Sequence, residues 1–92
     1  MNKVIYKYLL YPHGKSVIEM PIGAELLHVN SQKNTICVWA LVSPEDIVEE
    51  RYFEVFFTGE DIHYDMGIER KYLGTCHTHS DSLVRHIFER IN

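Results

Sequence analysis

Ile36-Cys37-Val38-Trp39-Ala40-Leu41-Val42 is the stretch that decides the fold. Seven residues in a row carry no charge, and the run holds the only tryptophan of the chain. A strand built from it is apolar on both faces. That pattern predicts a strand buried on two sides, or one at the heart of a small closed sheet, with Trp39 in the core. The polar loop Ser31-Gln32-Lys33-Asn34 precedes it and has the length of a hairpin connection. Asn34 tolerates the left-handed conformation such a loop needs. Residues 25–30, with Leu27 and Val29 on one face, are therefore expected to pair antiparallel with the central run.

Working outward, residues 3–11 alternate Val4, Tyr6, Tyr8 and Leu10 against Ile5, Lys7, Leu9 and Tyr11. Tyrosine and β-branched residues suit a pleated, half-buried surface. Pro12-His13-Gly14-Lys15 reads as a turn, because proline presets φ and glycine tolerates φ > 0. Residues 16–20 then read as the returning strand of an N-terminal hairpin. Pro21-Ile22-Gly23-Ala24 breaks it. After the central run, Ser43-Pro44-Glu45-Asp46 leaves room for one short helical turn, with Ser43 as cap and Pro44 at its first position. Residues 51–58 hold Tyr52, Phe53, Val55, Phe56 and Phe57, too apolar a set for an edge strand. Residues 62–71 are polar and irregular and read as a loop. Residues 72–78 form a sixth strand. Residues 83–91 are ambiguous: Val84, Ile87, Phe88 and Ile91 fit a helical face capped by Asp81 or Ser82, while Val84, His86 and Phe88 fit one face of a strand. The sum is a single mainly β domain over residues 1–92, a small antiparallel sandwich or barrel of six to seven strands.

Ninety-two residues bury only about 60–68% of their unfolded surface, so one core of modest size is expected. Composition is 46% hydrophobic and 12% aromatic, which is globular rather than disordered. No run approaches the ~20 apolar residues of a membrane helix. The opening Met1-Asn2-Lys3-Val4-Ile5-Tyr6-Lys7 has a charge inside its apolar part and does not read as a signal peptide. With no export signal read there, Cys37 and Cys76 are expected as reduced thiols packed like small hydrophobes. The net charge of −4 and the scatter of nine basic residues exclude a general nucleic-acid binder, which clusters its cations on phosphates.

Few residues carry a chemical signal. On a strand, His77 and His79 would share a side and could chelate a transition metal, with His63, His86, Asp61 or Asp81 as a third ligand. Their plainer reading is surface histidines at a strand end. Asp61 and His63 have the spacing of an acid–base pair but no nucleophile beside them. Thr58-Gly59 can expose backbone amides to an anion. Arg51 and Arg85, with Arg70 and Arg90, supply charge for phosphate or carboxylate recognition. Tyrosines supply stacking surface. His86 reads first as a hydrogen-bonded structural residue. The acidic segment 45–50 reads as a solvated loop, or as a contact for a basic partner.

Together, Lys7-Tyr8, Ile18-Glu19-Met20-Pro21, Gly23-Ala24, Leu27, Val29, Gln32, Ile36-Cys37, Trp39-Ala40-Leu41-Val42, Pro44, Arg51, Phe53, Thr58-Gly59, Tyr72, Gly74-Thr75 and His86-Ile87-Phe88-Glu89 resemble a family of small uncharacterised proteins encoded mostly by bacteriophages and prophages. The resemblance spans nearly the whole chain. It carries over no catalytic motif. The His77 and His79 pair and the composition of residues 62–71 depart from the pattern. It implies an extended chain end, and so a strand at residues 83–89. It further implies a phage accessory protein in the bacterial cytoplasm, of a kind that commonly binds and modulates host machinery. A small aromatic-rich sheet with no catalytic constellation is read as a non-enzymatic binder that docks a host protein or sequesters a nucleotide-like ligand, with no cofactor, and a chain this small gains core by self-association. The competing readings are a metal-dependent enzyme using His77 and His79, and a structural component of the virion.

Overall fold

The computed structural model describes residues 2–79 and 82–91. It contains seven strands and, among these residues, no helix: β1 (Val4–Leu10), β2 (Gly14–Pro21), β3 (Glu25–Gln32), β4 (Thr35–Val42), β5 (Val48–Phe57), β6 (Arg70–Thr78) and β7 (Leu83–Arg90). All pairings are antiparallel. One sheet has the order β1-β4-β3 and the other β2-β5-β7-β6. The Cα envelope is 15 Å thin in its shortest direction, which leaves room for two layers and no more.

The central run becomes β4, flanked on both sides within its sheet. Ile36, Val38, Ala40 and Val42 point inward and are buried. Opposite them stand Met20 of β2, Phe53 and Val55 of β5, Cys76 of β6 and Ile87 of β7. Its other face is the outside of the molecule. Trp39 lies there, half-buried beside His28 with ring centres 6.0 Å apart, and not in the core. Lys7 reaches from β1 across β4 to donate to the Gln32 side chain at 2.8 Å. Both faces of β4 are thus apolar, but only one meets the second sheet.

The β3–β4 connection is a hairpin, tighter than the four-residue loop anticipated. The ladder continues to Gln32 opposite Thr35, and Lys33 and Asn34 both take positive φ (51° and 64°). That is the type I′ geometry whose twist matches the flanking strands.

The expected N-terminal hairpin does not form. β1 pairs with β4 and β2 with β5, so the turn at residues 11–13 carries the chain from one sheet to the other. The cause is apolar matching across the core: Tyr8 and Leu10 of β1 and Ile18 and Met20 of β2 all belong to the inter-sheet cluster. Ser43-Pro44-Glu45-Asp46 makes a simple turn, closed by the Asp46 amide on the Ser43 carbonyl at 3.0 Å, where a helical turn was expected. β5 is an interior strand, as its aromatic content implies. Residues 83–90 form a strand because Arg85, Ile87 and Glu89 alternate inward against the core while Val84, His86, Phe88 and Arg90 face out. The helical face of residues 84, 87, 88 and 91 is therefore split between two surfaces. Asp81, the alternative cap, lies outside the described residues.

β3 and β6 run edge to edge, so one side of the sandwich is closed. Ser31 Oγ donates to the His77 carbonyl at 2.5 Å there. Gly74 makes the close approach possible: a Cβ at this position would sit 2.7 Å from Val29 Cγ2. The opposite side, between β1 and β2, is open, and the two strands barely meet.

Candidate functional site

Two arginines bracket the core at opposite ends. Arg51 donates to both Glu89 oxygens at 2.5 and 3.1 Å and to the Ala24 carbonyl at 2.9 Å. Its pKa is raised, first by the hydrogen bond to Glu89. Arg85, 5% exposed, donates to Thr78 Oγ1 at 2.9 Å and to the Pro12 carbonyl, and lies over the Phe57 ring at 4.8 Å. These bonds tie the turn at residue 12 to β6 and β7. Both guanidinium groups are occupied by the protein's own acceptors, as a buried arginine must be. The structure does not bring Arg51 near the other candidate residues.

The Thr58-Gly59 turn is a type II turn. The Glu60 amide donates to the Phe57 carbonyl at 3.1 Å, and Gly59 takes the φ of 87° this turn needs at its third position. An anion already sits against it: the Glu60 carboxylate accepts the Phe57 amide at 2.9 Å and the His13 ring at 2.8 Å. The Glu60 carboxyl is held below the ordinary carboxylate range, by the Phe57 amide first and His13 second.

Thr58 and His86 are brought together. Thr58 Oγ1 lies 2.6 Å from His86 Nε2, and the Tyr72 hydroxyl lies 2.9 Å from His86 Nδ1. Tyr72 also hydrogen-bonds Thr75, which stands directly opposite His86 in the β6–β7 register. Sequence reasoning missed Tyr72 and Thr75. Only the register, with its irregularity between Tyr72 and Gly74, brings both beside the histidine. A neutral imidazole needs one donor and one acceptor, and hydroxyls supply either. The quartet holds the ring in place on the outer face of the second sheet, beside the Phe56, Phe88 and Tyr72 ring cluster.

The loop at residues 58–69 folds over this face. Arg70 is its anchor: its Nε donates to Glu54 at 2.6 Å, its Nη1 to the His63 carbonyl at 2.9 Å, and its guanidinium lies 5.0 Å from the Tyr64 ring centre. Glu54 and Arg70 are both buried, with 8% and 4% of their side chains exposed. The Arg70 pKa is raised, first by the Glu54 hydrogen bond. Asp61 and His63 are exposed in the loop and not paired with one another. His63 instead bonds Asp65 at 2.7 Å.

The shared side of His77 and His79 is lost. β6 ends at Thr78, and His79 enters the turn with φ of 55°. The period of two stops before it. Its amide donates to Asn34 Oδ1 at 2.7 Å, and its Nδ1 lies 3.3 Å from Thr78 Oγ1. Among the described residues no group of three His, Cys, Asp or Glu converges as a metal site. Asp81, a third-ligand candidate, lies outside them. Cys37 and Cys76 are buried free thiols, and burial pushes the Cys76 thiol from its ordinary 9.0 up to about 11. Among the described residues no helix is long and apolar enough to cross a membrane.

A family model described as a domain of unknown function (DUF7352) matches residues 1–92. The chain belongs to that family. No curated protein and no solved structure matches the chain. Within this DUF7352 domain, the outer face of the first sheet stands apart from everything described so far. Ile5 and Leu9 of β1 are 60% and 56% exposed there. They adjoin half-buried Trp39 and Leu41 of β4. Among the described residues β1 is also a free edge. It runs for seven residues with no proline and no bulge, and its single charge is Lys7.

Proposed function

We propose that this domain is a non-enzymatic accessory protein of a bacteriophage that acts in the bacterial cytoplasm by binding a host protein, and that it self-associates through β1. One observation carries the reading: β1 offers a row of unpaired backbone groups beside an apolar sheet face. Proteins that must stay monomeric blunt such edges with proline, bulges or several charges. β1 has none of these beyond Lys7. An edge of this kind accepts another strand through main-chain hydrogen bonds, with alternate side chains giving specificity. In the isolated protein the occupant is β1 of a second copy, which joins two three-stranded sheets into one of six. A host partner with an extended segment competes for the same edge. The phage setting rests on the sequence resemblance.

Light scattering after gel filtration tests this directly. The expected result is a dimer that Ile5→Lys and Leu9→Lys, both on the exposed face, convert to a folded monomer. A wild-type monomer at all concentrations, with a melting temperature that host lysate does not shift, overturns the proposal.

A further inference from the structure

The outer face of the second sheet carries a groove of about 230 Å³ between β2, β5 and β7. Its floor is Val17 opposite Tyr52, 52% and 46% exposed. Lys15 and Arg90 stand on either side of Glu54. The chain as a whole is acidic, but here the sign reverses: Lys15, Arg70 and Arg90 surround the single carboxylate of Glu54. Glu54 is already taken by Arg70 at 2.6 Å, and Arg90 Nη1 lies 4.0 Å from its other oxygen. The Lys15 ammonium has no hydrogen bond or ion pair among the described residues. One row further along the same strands, Glu19 faces Glu50. Glu50 accepts the Tyr52 hydroxyl at 3.0 Å, which holds the phenol protonated and its ring in place.

This arrangement has a polarity. An anion is drawn to the Lys15 end and repelled from the Glu19–Glu50 end. An amino group is favoured where the anion is not. Between them lies an exposed aromatic face, on which a flat ring stacks. The volume falls below the about 300–1,000 Å³ of ordinary small-molecule sites, so one ring system fits and a dinucleotide does not.

We infer that the groove over Val17 and Tyr52, flanked by Lys15 and Arg90, binds a small amino-bearing heteroaromatic anion of mononucleotide size. The inference rests on the reading of the domain as a binding protein, but it concerns the other sheet, so the two fail separately. The ring stacks on Tyr52, the phosphate meets Lys15, and the amino edge faces Glu19 and Glu50.

The test is a titration of isotope-labelled protein with adenosine monophosphate, followed by amide NMR shifts. Adenosine and inorganic phosphate serve as half-ligands. The expected result is saturable movement of the Lys15, Val17 and Tyr52 amides by the monophosphate, with each half-ligand about tenfold weaker or more. Lys15→Glu and Tyr52→Ala, both at exposed positions and checked for folding by circular dichroism, each weaken binding by about tenfold. Ile5→Lys leaves it unchanged. Unmoved groove amides at millimolar monophosphate, or an affinity that Lys15→Glu does not change, overturns the inference.

Discussion

The inner faces of the two sheets share one apolar core, and their outer faces are unlike. On the second sheet the outer face is roofed in part: around Glu54 the loop at residues 58–69 is pinned by Arg70 to Glu54 below and to the His63 carbonyl above, while Val17 and Tyr52 stay open on the β2 side. On the first sheet the outer face is bare, with Ile5 and Leu9 exposed beside Trp39 and Leu41. The difference teaches where each sheet finds its stability. A roofed face with a buried ion pair depends on residues of the same chain. A bare apolar face gains burial only when something else arrives.

Breaking the roof is the largest expected effect. Arg70→Ala leaves the Glu54 carboxylate buried without its main partner, which costs about 3 kcal/mol or more. Chemical denaturation measures it, and faster proteolysis within residues 58–69 accompanies it. A loss below about 1 kcal/mol would mean that the loop holds without its anchor.

Next is the closed side where the two sheets meet. Gly74→Ala drives a methyl into Val29 and is expected to destabilise by about 1–3 kcal/mol, read from the denaturation midpoint. The added methyl meets a side-chain methyl of buried Val29, which has to give way inside a packed contact.

The bare face gives the smallest change in folding. Ile5→Lys and Leu9→Lys are expected to stay within about 0.5 kcal/mol of wild type for the monomer, while abolishing self-association. If either costs several kcal/mol, the face is part of the core and the contrast between the sheets fails.

Two titrations separate surface from interior. Glu60 has a depressed pKa when folded, so its stabilising effect is present above the ordinary carboxylate range and lost as pH falls through its folded value. Glu60→Gln is therefore expected to flatten the acid limb of the stability curve. Cys76 shifts the other way, from 9.0 to about 11. The folded state favours its neutral thiol, so stability falls as pH rises from about 9 to 11. At neutral pH Cys76 should resist alkylation until the protein unfolds. Rapid labelling of the native protein would show that the sandwich opens at β6.

The legible parts of the site were those set by neighbours in the chain. Gly59 marks its turn, and Asn34 its hairpin, because each supplies a positive φ locally. Tyr72 and Thr75 were not legible, because their meeting with His86 depends on the β6–β7 register and an irregularity within it. The His77 and His79 pair loses its shared face because β6 ends at Thr78, which leaves their plainer reading, histidines at a strand end.

The sequence by itself determined six of the seven strands, the central place of residues 36–42 and the mainly β class. Period-two alternation, turn residues and an uncharged run are properties of short segments, and short segments settle them. Only the tertiary structure decided that β1 and β2 part into different sheets and that Trp39 looks outward. It also decided that the arginines close the ends of the core, and that one sheet is partly roofed while the other is bare. Each of these is a choice of partner between residues far apart in the chain. That choice is made by which apolar faces fill the common core together, and no local pattern records it.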